Sequence, residues 1–427
     1  FERVDAEAKQ LEQMLDFAPG SVLAIQIGNH PAWPAALLAC LHRGLVVLPL
    51  ESTIGIPERE AALAVGHAAG ILADRGPELA LGKLASARMD WGPHRPSLLK
   101  LTSGTTAAPR AIRFRSEQLL ADCTQICETM NITDRDLNFG VIPVSHSYGF
   151  SNLLTPLIAR GVPLVLSRDR MPRAVLNDLA RTKATVFAGM PVFYQAFCGM
   201  EGVPALSHLR LCISAGAPLP LHVAHGFHDR FQQLIHSFYG SSECGGICYD
   251  RGAALDEEGF VGQPMDGVEL EALEPAARAS RVRVRSAAAG DGYFPEADEA
   301  RLSAGCFIPD DLLTAAGSGF RIVGRVSDLI NVAGKKVNPA EVEAALLAFN
   351  GVHEAIVFGR NSALRNEEVA ACIVAAASVK EADVLEFLRG RLSGWQIPKQ
   401  IYFVDEFPIT ERGKISRRAL ANRFANR

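Results

Sequence analysis

Short apolar runs that alternate with segments of helical period most narrow what this chain can fold into. Glu2 to Leu15 is amphipathic, Ser21 to Ile27 is apolar, Ala32 to Arg43 is helical in pattern, and Gly44 to Pro49 is apolar again. The rhythm returns at Val162–Leu166, Ala184–Phe187 and Leu209–Ser214, each flanked by helical pattern. Strands that are apolar on both faces and joined through helices belong to a parallel sheet, since crossover helices cover its faces. The expectation is an α/β fold: a large N-terminal domain of parallel or mixed sheets with helices.

Two changes of texture divide the rest. Between Gly252 and Ile322, short alternating pieces such as Val268–Leu273 and Arg281–Arg285 sit among Gly and Pro, as in a small antiparallel or barrel-like part. Beyond Gly324-Arg325 the pattern becomes strand, loop and helix, with Pro339 at the first turn of a helix. The boundary is expected near Ser327, giving an N-terminal domain over 1–326 and a small mobile α+β domain over 327–427.

Composition excludes several classes. Forty-three basic residues face 47 acidic ones, a net charge of -4, without a long run of one sign, so neither nucleic acid nor an anionic membrane is an expected partner. Arg281, Arg283 and Arg285 alternate at strand spacing and read as one solvated face. The longest uncharged stretch, Phe139 to Ala159, contains Pro143, Pro156, His146 and Asn152, and reads as core strand plus pocket loop rather than a membrane span. Nine cysteines are scattered without a CxxC pair, which suits free thiols in a reducing, cytoplasmic setting better than zinc. The chain opens on Phe1, and what precedes it is left open.

The stretch with the most chemistry is Leu101-Thr-Ser-Gly-Thr-Thr-Ala-Ala-Pro-Arg110. Four hydroxyl side chains and one glycine occupy positions 102–106, directly after an apolar strand. Such a loop can offer N–H and hydroxyl donors to phosphate oxygens, with Arg110 as an added cation. It is not a Walker A loop, for no Gly-Lys-Ser/Thr follows. By composition alone, a hydroxyl-rich turn is more often just a solvated turn.

Thr102 to Arg110 resembles the phosphate loop of the adenylate-forming superfamily, which includes acyl- and aryl-CoA synthetases, peptide-synthetase adenylation domains and firefly luciferase. Five further stretches resemble that family in order: Ser214-Ala-Gly-Ala-Pro-Leu219, Tyr239-Gly-Ser-Ser-Glu243, Gly259-Phe-Val-Gly-Gln-Pro264, Gly324-Arg-Val-Ser-Asp328 and Pro408-Ile-Thr-Glu-Arg-Gly-Lys-Ile415. The resemblance covers nearly the whole chain. It implies an AMP-forming acid–thiol ligase that uses ATP and Mg2+ to make an acyl-adenylate, then passes the acyl group to CoA or to the phosphopantetheine of a carrier protein acting in trans.

The same resemblance implies the site. Thr102, Ser103, Gly104, Thr105, Thr106 and Arg110 would bind phosphates, and Glu243 would bind Mg2+. Ala215, Gly216, Ala217, Phe238, Tyr239, Gly240, Ser242, Asp311, Ile322 and Arg325 would hold adenine and ribose. Lys414 would bridge the substrate carboxylate and the α-phosphate. His146 would gate or orient the acid, with Tyr148, Phe150, Met190, Val192 and Phe193 as acyl-pocket candidates. Ser327 would be the hinge of a rotating C-terminal domain, and Gly334, Lys335 and Lys336 would form the thiol-access loop.

Residue chemistry alone allows blander roles. Asp311 could cap a helix, Glu243 could begin one, and Lys335 and Lys336 could decorate a plain β-turn. The sequence also departs from the family pattern: Ala107 and Ala111 replace glycines, Arg110 a lysine, Ser242 a threonine, and Pro309-Asp310 a Thr-Gly. A catalytically degenerate nucleotide- or acyl-binding protein is the alternative these departures favour, while Glu243, Asp311 and Lys414 oppose it. The expected substrate is an aryl or short to medium acyl carboxylic acid.

Overall fold

In the computed structural model, the apolar run Val22–Gln26 is a central strand, parallel to Val46–Pro49 on one side and to Ala68–Asp74 on the other. The structure describes residues 2–76, 79–85, 89–102, 110–253, 257–303, 305–332, 335–362, 366–407 and 417–424. Two units result: Phe1–Ala272 with Arg283–Pro309 and Ala316–Arg321, and Leu273–Val282 with Asp310–Ala315 and Ile322–Arg427.

The first unit is mixed α/β, as the alternation predicts. One seven-stranded sheet runs Gly292–Phe294, Ala111–Phe114, Leu98–Leu101, Val46–Pro49, Val22–Gln26, Ala68–Asp74, Leu79–Lys83. Helix Trp33–His42 crosses between its first two strands and is itself mostly buried. A second sheet carries Leu164–Leu166, Asn138–Gly140, Val186–Gly189, Leu211–Ser214 and Ile235–Ser241 in parallel, then turns antiparallel at Gly245–Tyr249 and Phe260–Pro264. Strand Gly319–Arg325 adds to that edge through Gly262↔Phe320 and Phe260↔Arg321. A small sheet of Val268–Ala272, Val282–Ser286, Cys306–Phe307 and Leu302–Ser303 accounts for part of the Gly- and Pro-rich stretch. There Arg283 and Arg285 face out to Glu271 while Val282 and Val284 are buried.

The uncharged stretch after residue 139 differs from the expected strand and loop. Only Asn138–Gly140 is strand, and from Ser147 the chain is helical, with a π-helical turn over Phe150–Leu154. Pro156 has no N–H to give the Asn152 carbonyl, which accepts from Asn138 Nδ2 at 3.2 Å instead. Thr155 N reaches back to Phe150 O, which widens the turn.

In the second unit, Lys335–Val337, Ile330–Val332, Asn366–Ala375 and Val352–Ser362 form a sheet, with Gln400–Phe403 parallel to Asn366–Ala375. Alternation along the strands supplies two cores. Val357, Ala371 and Ile373 pack with Val342, Leu346, Val384 and Leu388 of helices Pro339–Leu347 and Glu381–Arg389. On the opposite face Phe358 and Cys372 meet Leu420 and Phe424 of helix Arg417–Phe424. Pro339 does open a helix, capped by Asn338, whose side chain accepts from Ala340 N.

Candidate active site

The ends of the hydroxyl-rich loop are pinned by sheet pairing. Leu101 lies opposite Ala111, Thr102 N donates to Arg110 O at 2.8 Å, and the Thr102 hydroxyl donates to the same carbonyl at 3.2 Å. The loop is therefore closed at its base. Ser103, Gly104, Thr105 and Thr106 lie outside the described residues.

The next strand of that sheet brings in a group from far along the chain. Tyr293 pairs with Ile112, its ring lies 4.3 Å from the Arg110 guanidinium, and its hydroxyl donates to Glu243 Oε1 at 3.1 Å. Burial raises the Tyr293 hydroxyl well above its ordinary value, and Glu243 adds to the effect, so this phenol keeps its proton and acts as donor. One tyrosine thus links the base of the loop to the Glu243 carboxylate.

Glu243 sits in the turn between strands Ile235–Ser241 and Gly245–Tyr249, not at a helix start. Ser241 Oγ accepts from the backbone N–H of Glu243 and of Cys244, both at 3.2 Å, and Glu243 O accepts from Gly290 N at 2.9 Å. The bulge between Tyr239 and Gly240 requires glycine, because a Cβ at Gly240 would stand 2.7 Å from Gly245 O. Phe238 and Tyr239 are buried on this strand.

Neighbouring parallel strands end beside it, the usual ligand edge of such a sheet. Strand Leu211–Ser214 leads to buried Ala215 and to exposed Gly216 and Ala217, with Gly216 at φ +85°. Ser147 Oγ donates to Ser242 Oγ at 3.0 Å, tying the segment with His146 to the Glu243 turn. His146 Nδ1 accepts from Tyr148 N at 3.2 Å, which leaves the ring proton on Nε2 in the neutral form. The Tyr148 hydroxyl donates to Gly189 O at 3.2 Å, and its ring lies 5.9 Å from Phe238. Met190 precedes helix Pro191–Cys198; Phe193 joins an aromatic cluster with Phe187 and Phe197, while Val192 is exposed.

In the second unit, Asp311 begins a strand, which removes the helix-cap reading, and its Oδ1 lies 2.5 Å from Arg325 Nε. Asp311 is buried, whereas the Arg325 side chain is 58% exposed, so the pair has one fixed and one solvent-facing member. Ile322 is half-buried on strand Gly319–Arg325, and Ser327 follows in the short turn Val326–Asp328. Lys335 and Lys336 are exposed on a strand antiparallel to Ile330–Val332, with Lys335 Nζ 3.7 Å from the Trp395 ring centroid. Gly334 and Lys414 lie outside the described residues. Three positions past Lys414, Arg417 is bonded to Asp328 at 3.2 Å and to Glu343 at 2.7 Å.

Two residues here go unmarked in the sequence reading. Tyr293 is brought in by strand pairing, which no local pattern announces. Lys100 does leave a signal, as the lone cation in the apolar run Leu98-Leu-Lys-Leu101. It is almost fully buried, two residues before Thr102.

Comparison with known proteins gives the chain a family. Residues 1–285 match the family model described as AMP-binding enzyme, and residues 341–414 match the AMP-binding enzyme C-terminal domain. The chain belongs to the AMP-binding enzyme family, and within it is an AMP-forming acid–thiol ligase of acyl- or aryl-CoA synthetase type. It is 29% identical to a feruloyl-CoA synthase of Amycolatopsis sp, over 95% of this chain and 89% of that one. It is 28% identical to a 3,4-dihydroxybenzoate–[aryl-carrier protein] ligase of Bacillus anthracis, over 76% of this chain and 73% of the relative. The structure of ATP-bound MatB from Rhodopseudomonas palustris superposes with TM-score 0.84 at 24% identity, covering 99% of this chain and 93% of that one, and shows the shared fold.

Proposed function

We propose that this enzyme activates an aryl or short to medium acyl carboxylic acid in two steps. The substrate carboxylate attacks the α-phosphorus of ATP, a new C–O–P linkage forms, and pyrophosphate leaves. A thiol then loses its proton and attacks the acyl carbon, and AMP leaves from the tetrahedral centre. The observation that carries the reading is the Tyr293 link, which joins Arg110 at the base of the hydroxyl-rich loop to the Glu243 carboxylate.

In this reading Thr102 to Thr106 and Arg110 hold the triphosphate, and catalysis consists mainly of positioning and charge neutralisation. Glu243 suits Mg2+, since it offers hard carboxylate oxygen and Tyr293 fixes one of its oxygens at 3.1 Å. Among the described residues no group of three or more His, Cys, Asp or Glu could hold a metal, which fits a cation carried chiefly by substrate phosphates. Bound there, Mg2+ would supply charge neutralisation between phosphate oxygens. Ala215, Gly216, Ala217, Phe238, Tyr239, Gly240 and Ser242 are assigned to adenine, and Asp311, Arg325 and Ile322 to ribose. His146 orients the acid, and Tyr148, with its hydroxyl bonded to Gly189 O, limits pocket depth.

Lys414 is assigned to the first half-reaction, with a hinge at Ser327 that exchanges it for the loop containing Gly334, Lys335 and Lys336. Arg417, fastened to Asp328 and Glu343, supports this by fixing the chain just beyond the lysine segment. The acceptor is CoA. A carrier protein in trans is the second reading, favoured by the likeness to an aryl-carrier protein ligase. Mass analysis with ATP, ferulate, benzoate or short acyl acids, and either CoA or pantetheinylated carriers, tests the choice. An acyl-CoA product supports the first reading, and acylated carrier without acyl-CoA supports the second.

A further inference from the structure

Lys100 is 5% exposed and lies in strand Leu98–Leu101, two residues before Thr102. Its ammonium is 4.6 Å from the Phe114 ring and 5.7 Å from the Phe150 ring. Its one hydrogen bond among the described residues is a long one, to Ser151 Oγ at 3.5 Å. Aromatic faces and one distant hydroxyl are poor compensation for a cation taken out of water. Burial accordingly drives the Lys100 amine below its ordinary value, opposed chiefly by Asp122 and also by Glu243.

The second carboxylate is equally specific. Asp122, 3% exposed on helix Ser116–Thr129, accepts from Gly246 N at 3.1 Å. A Cβ at Gly245 would fall 2.1 Å from Asp122 Oδ1, so the turn that carries Glu243 rests directly on this carboxylate. Two carboxylates of the first unit thus lie on or under one turn, and Lys100 is a buried cation whose charged form both of them favour. For stability alone, a methionine would serve this apolar slot better than a lysine. A charge kept where it costs stability points to function.

We propose that Lys100 is a positioning residue for the nucleotide, whose buried ammonium presents a fixed positive charge to the base of the hydroxyl-rich loop at Thr102. Two residues of extended strand place its backbone about 7 Å before Thr102. A field from the interior is little screened by salt and needs no reorganisation when the triphosphate arrives. Without Lys100, the net charge facing the phosphates becomes more negative by one. The proposal rests on the phosphate-site reading above.

Equilibrium binding of ATP and of adenosine to the full-length wild type, K100M and K100Q, with and without magnesium, tests it alongside thermal melting. K100M is expected to melt at or above the wild-type temperature yet bind ATP at least about tenfold more weakly, with adenosine within about twofold. In turnover, KM for ATP should rise while KM for the acid stays. Equal weakening of ATP and adenosine, or unchanged ATP affinity in both variants, overturns the proposal. So does a lowered melting temperature in both variants with unchanged charge discrimination. Failure of the wild type itself to bind ATP would instead sink the phosphate-site reading.

Discussion

The candidate residues of the two units are held in contrasting ways. In the first, Tyr293 on a strand, Arg110 and Glu243 beside strands and Tyr148 in a helical turn are tied to one another or to backbone carbonyls. In the second, Arg325, Lys335 and Lys336 are exposed, and among the described candidates Asp311 is buried and Ile322 half-buried. Groups that stabilise developing charge must be in place before reaction, which buried frameworks provide. Groups that serve one half-reaction and then leave gain nothing from burial. Changes in the first unit should therefore impair nucleotide chemistry as a whole, while changes in the second should separate the half-reactions.

The largest effect is expected at Lys414. K414A should lower adenylation by about 10³-fold or more, as loss of a transition-state charge partner does. It should spare thioester formation from supplied acyl-adenylate. Equal loss in both halves, measured by single turnover, would erase the contrast between the units. E243Q comes next, with about 10²-fold loss of adenylation and a raised magnesium requirement in a metal titration. Y293F keeps the ring under Arg110 and removes only the hydrogen bond to Glu243. Roughly tenfold loss is expected, the worth of a hydrogen bond to a charged group. A larger loss in Y293F than in E243Q would show that the tyrosine acts other than through the carboxylate.

The smallest effect concerns stability rather than chemistry. Burial tends to raise the Asp136 carboxyl, but Arg210 at 2.6 Å and bonds from Thr133 N and the Thr185 hydroxyl outweigh it, leaving Asp136 below its ordinary value. A carboxyl lowered by folding stabilises above its unfolded pKa of about 3.9 and ceases to do so as pH falls through the folded value. D136N should cost about 2 kcal/mol at neutral pH by denaturant titration, and the gap from wild type should close below about pH 4.

Much of this was legible in the chain because it is local. The parallel sheets follow from apolar runs between helical segments, and Pro339 marks its helix start. The Glu243 turn is recognisable because its neighbours Tyr239 to Ser242 carry the pattern. What escaped is long-range or depends on burial. Tyr293 reaches Glu243 through strand pairing across 50 residues. Lys100 stands out only as a lone cation in an apolar run, and its burial is seen once its surroundings are known. The π-helical turn at Phe150–Leu154 goes with the Thr155 N to Phe150 O bond, and Asn138 takes up the Asn152 carbonyl, a contact no helical period encodes. The acid is unread for the same reason: contacts such as that of the Tyr148 hydroxyl with the Gly189 carbonyl join residues far apart in the chain.

Exchange of labelled pyrophosphate into ATP, measured with and without a panel of carboxylic acids and with no thiol present, addresses the first chemical step alone. Label should enter ATP only when a suitable aryl or short to medium acyl acid is supplied, and K414A should abolish it. Exchange that proceeds equally without acid, or none with any acid by an enzyme that binds ATP, would contradict acyl-adenylate formation at this site.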